Sequence, residues 1–224
     1  ASKHRRRQST LLAICLFCTT AFLKESVLQL PKTDRNGREN KMSKIAVFFG
    51  TGYEEIEALT VVDILRRAGE TVEMVSITEE RTVAGSHGIA VGMDSTLLEV
   101  DFDSVDVLVL PGGMPGTTNL EACQALMEQV DVFVAAGKTV AAICAAPSIL
   151  GHRGHLKGRK ACSYPSMESH LEGAQVSQDP AVTDGNIITG RGMGAAIAFS
   201  LAILEKLQDK EAADKMADAV VYPR

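Results

Sequence analysis

The chain has 224 residues, of which 46% are hydrophobic and 23% are charged, and its formal net charge at pH 7 is −5. This length supports one well-cored globular domain, and neither an internal repeat nor a second domain is evident. Phosphate binding needs clustered Lys and Arg, so the negative charge and the lack of a long basic run after residue 7 argue against nucleic acid as a partner. The five cysteines lack the even number and spacing of a disulfide framework, which favours a reducing, cytoplasmic compartment.

Residues 1–41 differ in composition from the rest of the chain. A basic start, a 13-residue apolar run and a polar spacer follow one another in the order of a secretory signal, but the run is too short to cross a bilayer as a helix. Met42 stands just before the first convincing strand. We therefore expect residues 1–41 to be a dispensable or mispredicted, signal-like leader or a disordered extension. Residues 42–224 are expected to form the working domain, with no membrane partner. Cys15 and Cys18 have redox-motif spacing, but no strand or helix cap frames them, so we interpret them as apolar-core thiols of the leader.

From Ser43 onward, short apolar β-branched segments alternate with helical ones. This alternation predicts an α/β sandwich with a mostly parallel sheet, because strands buried on both faces read as nearly continuous apolar runs. The segment 81–94 has two short apolar runs around Gly85 and Gly88, which predicts a β-hairpin appended to that sheet. The predicted strands are 44–49, 71–77, 105–111, 139–144 and 186–190, and the predicted helices are 53–69, 120–137 and 193–207.

Four loops follow predicted strands and lead toward helices. Ligands of an open parallel sheet gather at the carboxyl ends of its strands, so these loops are the candidate site. The first loop lacks the third glycine of a dinucleotide fingerprint and the Gly-Lys-Ser of a P-loop, which argues against a nucleotide. Tight turns explain the glycines of the second and fourth loops about as well as ligand binding by backbone N–H groups does. The loops are FGTGYEEIE (49–57), LPGGMPG (110–116), ICAAP (143–147) and TGRGMG (189–194).

Cys144 lies where a buried strand gives way to a helix. Free cysteine is often a small core hydrophobe, and taken alone this interpretation is as good as a functional one. A thiol that opens a helix, however, lies where the helix dipole and free N–H groups favour the thiolate, which predicts a lowered pKa and a reactive nucleophile. Pro147 suits the first turn of such a helix because its missing N–H is not needed there. The pattern is that of a nucleophile elbow with sulfur in place of oxygen.

The motifs GTGYEEIEA, LPGGMPG, AAICAAP and TGRGMG, in this order and at these separations, resemble the ThiJ/PfpI superfamily. The resemblance is to the branch of the parkinsonism-associated protein deglycase (DJ-one) and its bacterial relatives, and it covers about residues 43–222. It implies a flavodoxin-like three-layer fold, in agreement with the pattern of strands and helices. It also implies a homodimer that works without a cofactor or a metal.

The same resemblance implies roles for individual residues. Cys144 matches the family's reactive nucleophile and Glu57 its carboxylic partner, whose pKa a nearby thiolate would raise. Gly113 and Ala145 match residues whose backbone N–H groups can hold an oxyanion or a sulfinate oxygen. The candidates for binding substrate are Gly112, Met114, Tyr164 and Arg191.

Three departures from the family pattern limit these roles. Ala145 follows Cys144 where related proteases and amidotransferases draw on a histidine, beside the cysteine or later in the chain, to complete a triad, which argues against protease activity. Tyr164 stands where many members of the branch have a histidine, which leaves a second general base unassigned, although its hydroxyl can hydrogen bond to a substrate oxygen. Gly85 and His87 stand in place of a hairpin cysteine and arginine of the best-known members.

The other histidines and cysteines receive structural interpretations. His152 and His155 lie three residues apart in a Gly-interrupted segment without a nearby carboxylate, which favours solvated loop histidines over a metal site. His170 is interpreted as an isolated polar residue on a short helix, and Cys123 as a packing residue within a helix. Cys162 is a candidate resolving thiol if its strand neighbours the elbow.

Two functions from different classes use the same residues. The first is a cofactor-free glyoxalase or deglycase, in which Cys144 adds to methylglyoxal-type aldehydes, or acts on glycated amines and thiols, while Glu57 moves protons through an enediol. The second is a redox sensor or chaperone that signals by oxidation of Cys144 to the sulfinate. A thiamine-pathway enzyme ranks last, because no nucleotide motif supports it.

Overall fold

A seven-stranded sheet lies at the centre of the computed structural model, which describes residues 42–223. The leader predicted for residues 1–41 lies outside the described residues. The strands are β1 (Lys44–Phe49), β2 (Thr71–Ser76), β3 (Thr82–Ala84), β4 (Ala90–Gly92), β5 (Ser95–Thr96), β6 (Val107–Leu110), β7 (Thr139–Ile143), β8 (Lys160–Ala161), β9 (Gln175–Val176), β10 (Ala181–Asp184) and β11 (Ile187–Gly190). The helices are α1 (Glu55–Arg67), α2 (Gly116–Ala122), α3 (Gln124–Ala135), α4 (Pro147–His152), α5 (Ala196–Leu207) and α6 (Lys210–Ala219). Short 3-10 turns lie at Leu97–Glu99, Phe102–Ser104, Pro165–His170 and Met193–Ala195.

The order of strands across the sheet is β10-β11-β7-β6-β1-β2-β5. All neighbours pair in parallel except β10 and β11, which are antiparallel. The five central strands β2-β1-β6-β7-β11 follow the flavodoxin-like order 2-1-3-4-5, and the direction of winding reverses between β1 and β6. The predicted fold class is therefore confirmed. The loops after β1 and β6 lie on either side of the switch point, where ligands bind in sheets of this kind.

The residues of β1 alternate between two hydrophobic cores. Ile45, Val47 and Phe49 belong to the core shared with α1 and α5, whereas Ala46 and Phe48 belong to the core shared with α3 and α4. Alternate side chains of a strand point to opposite faces, so β1 is buried on both. This burial is the reason that the strand reads as an uninterrupted apolar run, and it gives the molecule its three layers.

The helix predicted over 120–137 is two helices that meet at Cys123. Leu120 and Leu126 are both fully buried in the same core, yet they are six residues apart. A continuous helix with 3.6 residues per turn would place them on different faces, so an extended residue between α2 and α3 brings both inward. Cys123 is that residue, with φ −80 and ψ 90, and its predicted place within a helix was wrong.

The predicted hairpin is present as β3 and β4, but it forms a two-stranded sheet of its own rather than an extension of the main sheet. It packs instead on the loop that follows β1. Gly52 N–H donates to the carbonyl of Ala84 at 2.8 Å, and Ser86 N–H donates to the carbonyl of Tyr53 at 2.8 Å. The hairpin therefore covers the approach to the N-terminus of α1.

None of the helices in the described part of the chain is both long and apolar enough to cross a membrane.

Burial in the central strands predicts a clear stability difference between two leucines. Leu108 of β6 is fully buried, whereas Leu98 is 83% exposed. We expect Leu108→Ala to lower the free energy of unfolding by about 2–5 kcal/mol, because it leaves a cavity in the sheet's packing. The control Leu98→Ala should change it by less than about 0.5 kcal/mol. Urea denaturation followed by circular dichroism measures both, and equal losses would contradict the assignment of the core.

Candidate active site

Cys144 occupies a strained turn between β7 and α4. Its φ is +64, in the left-handed region that residues other than glycine rarely adopt. Hydrogen bonds on both sides hold the turn, because Cys144 N–H donates to the carbonyl of Gly190 at 2.9 Å and the Cys144 carbonyl accepts from Tyr164 N–H at 2.8 Å. Pro147 is the first residue of α4. The residue is only 8% exposed, so its thiol faces a confined space rather than the open surface.

Glu57 lies in the first turn of α1 and is fully buried beside Cys144. Its Oε2 accepts a hydrogen bond from Gly112 N–H at 3.0 Å. Its Oε1 has no partner of good hydrogen-bond geometry among the described residues, although the carboxyl is close enough to the Cys144 thiol to shift the pKa of both groups. A Cβ built on Gly112 would lie 2.6 Å from both Cys144 Cβ and Glu57 Oε2. Glycine at position 112 therefore lets the thiol and the carboxyl meet.

The loop after β6 is tied to the start of α1 by main-chain contacts. Glu54 caps α1 by accepting Glu57 N–H at 2.8 Å, and Glu54 N–H donates to the carbonyl of Gly112 at 2.9 Å. Gly113 has φ +87, and a Cβ there would collide with the backbone nitrogen of Glu54. Both consecutive glycines are thus required because the loop packs closely against Cys144, Glu57 and the start of α1, and not merely because the chain turns there.

Burial is the main reason that the pKa of Glu57 rises from its ordinary value of 4.5 to about 7. The charge of Glu54 raises it further, whereas the contact with Cys144 and the N–H group of Gly112 act in the opposite direction. The family resemblance implied a raised pKa for Glu57 with the thiolate as its cause. The direction agrees, but desolvation rather than the thiolate produces it. Glu57 can therefore take up or release a proton near neutral pH.

The pKa of the Cys144 thiol is raised, first by burial and then by the charge and hydrogen bonding of Glu57. Hydrogen bonds from the N–H groups of Ala145 and Gly113 lower it, but they do not outweigh those effects. The predicted net lowering by the helix N-terminus was therefore wrong, because burial is the largest effect on the thiol. When Glu57 carries the proton, the repulsion from its charge disappears and only burial opposes the thiolate. The protonation of each group therefore depends on that of the other.

A second cluster lies at the tip of the hairpin, next to the N-terminus of α1. The buried carboxylate of Glu55 accepts His87 N–H at 2.8 Å, lies 2.9 Å from His87 Nδ1, and accepts the Ser86 hydroxyl at 3.2 Å. Burial raises the pKa of Glu55, but the hydrogen bonds from His87 and Ser86 outweigh it and lower the value to about 2. The hydrogen bond to Glu55 raises the pKa of His87 in turn.

This hairpin cluster explains the two residues that depart from the family pattern. A Cβ on Gly85 would collide with the Glu55 carboxylate, and His87 pairs with that same carboxylate. The sequence pattern does not mark Glu55 as a site residue, because its partners lie about thirty residues away in a separate sheet. Glu54, Glu55 and His87 are the group of three in the described part of the chain whose ligand atoms lie within 4.8 Å of one another. The carboxylates of Glu54 and Glu55 already accept hydrogen bonds from the protein, so we interpret this group as a structural contact between the hairpin and α1.

Of the four candidates for binding substrate, Gly112 lies directly against Cys144 and Glu57. Met114 and Tyr164 are about half-exposed, and the main chain of Tyr164 contacts Cys144 as described above. The guanidinium of Arg191 donates to the carbonyl of Gln178 at 3.0 Å and lies 3.6 Å from Glu168. Its charge is thus already engaged by the protein. Substrate binding by these residues stays a prediction.

Cys162 is fully buried and hydrogen-bonded to Thr189, with its Sγ 3.3 Å from the Thr189 carbonyl oxygen. It is a free thiol, and burial raises its pKa. Thr189 belongs to β11, which pairs with the strand that carries the elbow. Its role as a resolving thiol stays a prediction.

The histidines outside the site are not the isolated residues that the sequence suggested. His152 Nδ1 lies 2.7 Å from Glu121, and His155 Nε2 lies 2.6 Å from Asp131. His170 Nδ1 lies 3.0 Å from His152 Nε2. The expectation that these histidines lack carboxylates was wrong, because the partners come from α2 and α3 and are distant in sequence.

Because Gly112 contacts both Cys144 and Glu57, we expect the addition of one methyl group at this position to change the reactivity of the thiol. Gly112→Ala should separate the Cys144 and Glu57 side chains, because the added Cβ has no room. We expect a changed rate of Cys144 alkylation by iodoacetamide across pH 5 to 9. Gly194→Ala is the control, since a Cβ there meets nothing within 4 Å. An alkylation profile that Gly112→Ala leaves unchanged would disprove the close packing over this residue.

The raised pKa of Glu57 predicts a specific dependence of stability on pH. In the folded protein the pKa is about 7, above the ordinary value of 4.5, so the folded state binds the extra proton in between. The contribution of Glu57 to the free energy of unfolding is therefore fully present below about pH 4.5 and is lost as the pH rises through about 7. Glu57→Gln should remove this decline in urea titrations between pH 4.5 and 7.5.

The control for this pH series is Glu205→Gln, because Glu205 is an exposed glutamate of α5. It should leave the decline unchanged. Parallel curves for the wild type and Glu57→Gln would show that Glu57 titrates as an ordinary carboxyl.

Comparison with known proteins agrees with this fold. The sequence profile of the DJ-1/PfpI family matches residues 43–206. The chain is 36% identical to Protein dj-1beta of Drosophila melanogaster over 183 residues, which is 80% of this chain and 98% of that protein. It is 32% identical to the glutathione-independent glyoxalase DJR-1.2 of Caenorhabditis elegans, over 70% of this chain and 84% of that protein.

A longer relative and a solved structure complete the comparison. Protein DJ-1 homolog A of Arabidopsis thaliana is 36% identical over 76% of this chain, but the chain spans only 44% of that protein. The solved structure of oxidized Toxoplasma gondii DJ-1 superposes with a TM-score of 0.78 at 34% identity, over 81% of this chain and all of that one. The resemblance drawn from the four motifs is thereby confirmed: this chain belongs to the DJ-1/PfpI family.

Proposed function

We propose that this protein is a cofactor-independent glyoxalase that converts small 2-oxoaldehydes such as methylglyoxal to 2-hydroxy acids. The observation that carries the proposal is the pairing of Cys144, in a strained strand-to-helix turn, with a buried carboxyl whose pKa is about 7. A general acid and base works best when its pKa lies near the operating pH. The name of the Caenorhabditis elegans relative supports glyoxalase-type chemistry at the level of the family.

The first chemical step forms a bond between sulfur and carbon. Glu57 first takes up the proton of the Cys144 thiol, and the thiolate formed in this way is the nucleophile. Sγ attacks the aldehyde carbon, and the proton of Glu57 moves to the aldehyde oxygen, which gives a hemithioacetal. The N–H groups of Gly113 and Ala145, which already donate toward the sulfur, stabilise negative charge as it develops in this step.

The remaining steps isomerise and release the product. The Glu57 carboxylate removes the hydrogen from the former aldehyde carbon, which gives an enediolate. Glu57 then returns that proton to the neighbouring carbon, and the hydroxyl proton on the former aldehyde oxygen passes to the neighbouring oxygen. The product is the thioester of a 2-hydroxy acid with Cys144. Water then cleaves the carbon–sulfur bond and regenerates the thiol, so that the net reaction is the addition of one water to the 2-oxoaldehyde.

The confined site favours small substrates. Cys144 is nearly buried, and Gly112 packs directly against it. An aldehyde of a few carbons fits this geometry better than a protein side chain does. We therefore favour free 2-oxoaldehydes over glycated proteins as the substrate.

A second function, redox sensing by Cys144, is favoured by a different observation. A solved relative is described as oxidized, and here two N–H groups point toward the sulfur beside a carboxyl that can donate a hydrogen bond. Such donors would also stabilise the oxygens of a sulfinate. This role uses the same geometry without turnover, so activity measurements separate the two.

Formation of D- or L-lactate from methylglyoxal tests the proposal. We expect measurable turnover in the wild type, none above background in Cys144→Ser, and a loss of about 10²–10⁴-fold in kcat/KM in Glu57→Gln, which removes the proton carrier. Cys123→Ser is the matched control, because Cys123 is a free thiol at the junction of α2 and α3, and it should keep full activity.

The contrary result is equally clear. A wild type that produces no lactate, but whose Cys144 is oxidised by stoichiometric peroxide more readily than Cys123 as judged by mass spectrometry, would replace the glyoxalase proposal with the redox one.

A further inference from the structure

A pair of histidines lies on the surface at the end of α4, away from the hairpin cluster. We define the histidine pair as His152, the last residue of α4, and His170, the last residue of the turn Pro165–His170. Nε2 of His152 and Nδ1 of His170 are 3.0 Å apart, and the two rings meet edge to face with an interplanar angle of 78°. Nothing in the proposed reaction uses them.

The backbone holds the histidine pair in place. Residue 151, directly before His152, is a buried glycine, and a Cβ there would collide with the carbonyl oxygen of His170. The two segments therefore approach as closely as their main chains allow. A site whose ligands are brought together by the fold loses little entropy when it binds, so this pair is partly pre-organised.

Glu121 sets the chemistry of the first ring. Its Oε1 lies 2.7 Å from Nδ1 of His152, which places the proton on that nitrogen and leaves Nε2 as a lone pair that faces His170. Histidines that bind metals commonly donate their other N–H to a carboxylate in this way, because it fixes the tautomer and strengthens the ligand. The second histidine supplies Nδ1 once its proton moves to the outer nitrogen.

We propose that the histidine pair is a binding site for a divalent first-row transition metal, with Glu121 as the carboxylate that orients His152. With metal–nitrogen bonds of about 2.0–2.1 Å, two nitrogens at a right angle lie about 2.9 Å apart, and two at the tetrahedral angle lie about 3.3 Å apart. The observed 3.0 Å fits the right angle of a tetragonal ion. Cu²⁺ and Ni²⁺ prefer that geometry, and Cu²⁺ binds nitrogen sites most tightly in the series.

The site as defined provides two protein ligands. Within residues 42–223, no third His, Cys, Asp or Glu brings a ligand atom into a common group with the pair, so water fills the other positions of the metal. This makes the site a surface chelate open to exchange. It would link α4, which follows Cys144, to the turn that follows Tyr164. The proposal does not depend on the glyoxalase activity.

Calorimetric titration of the full chain with Ni²⁺ tests this site, because Ni²⁺ has less affinity than Cu²⁺ for the thiols. We expect binding in the wild type that is weakened at least about 10-fold by His152→Gln and by His170→Gln, each of which removes one of two ligands. Glu121→Gln should weaken it about 10-fold through the orientation of His152. The controls His155→Gln and His87→Gln should bind as the wild type does, and Ni²⁺ should raise the Tm of the wild type but not of the pair variants.

Electron paramagnetic resonance of bound Cu²⁺ in the Cys144→Ser background gives an independent reading, since two imidazole nitrogens produce a characteristic hyperfine pattern. His170→Gln guards against misfolding, because His170 is exposed. Unchanged Ni²⁺ affinity in His170→Gln, loss of binding in His87→Gln instead, or no binding by the wild type at millimolar Ni²⁺ would each overturn the proposal.

Discussion

The burial of the Glu57 carboxyl against the Cys144 thiol is the constraint on which the site depends. A buried carboxylate loses the solvation that favours its charge, so its pKa rises and a proton becomes available near neutral pH. The rest of the local structure makes this burial tolerable. Glu54 caps the helix that carries Glu57, and Gly112 donates its N–H to the carboxyl while leaving room for the sulfur. Removal of either support would change the pKa of Glu57.

The site lies at the switch point of the sheet because the topology places it there. The loop after β1 leads to Glu57, and the loop after β6 supplies Gly112 and Gly113. These two loops lie on either side of the point where the strand order reverses. Cys144 follows β7, the next strand along, and thus lies on the same edge. The hairpin at Gly85 and His87 closes over the start of α1 through the Glu55 carboxylate. Three separate loops and one hairpin thus converge, although they are far apart in sequence.

Much of the fold could be predicted from the sequence, because strands buried on both faces, such as β1, β6 and β7, consist almost entirely of apolar residues. The junction at Cys123 could not, since no glycine or proline marks it and the break follows from the core positions of Leu120 and Leu126. In the site, the sequence motifs identified Cys144 and Glu57, but they did not give the effects of burial on the pKa values of these two residues. The pKa of the thiol is raised first by burial and then by a carboxylate that only the folded chain brings near. The partners of His152 were hidden for the same reason, because Glu121 and His170 lie in other elements.

The left-handed backbone of Cys144 has a consequence for how this protein could evolve or be engineered. A side chain at φ +64 costs free energy that glycine would not, so position 144 favours glycine for stability and cysteine for reactivity. Selection for thermostability alone would therefore tend to erase the thiol, and under the proposed function its presence means that stability has been given up for reactivity. Copies of this fold that have lost their reaction should accumulate glycine at this turn, and those that keep a reactive side chain there should carry the compensating stability elsewhere in the sheet.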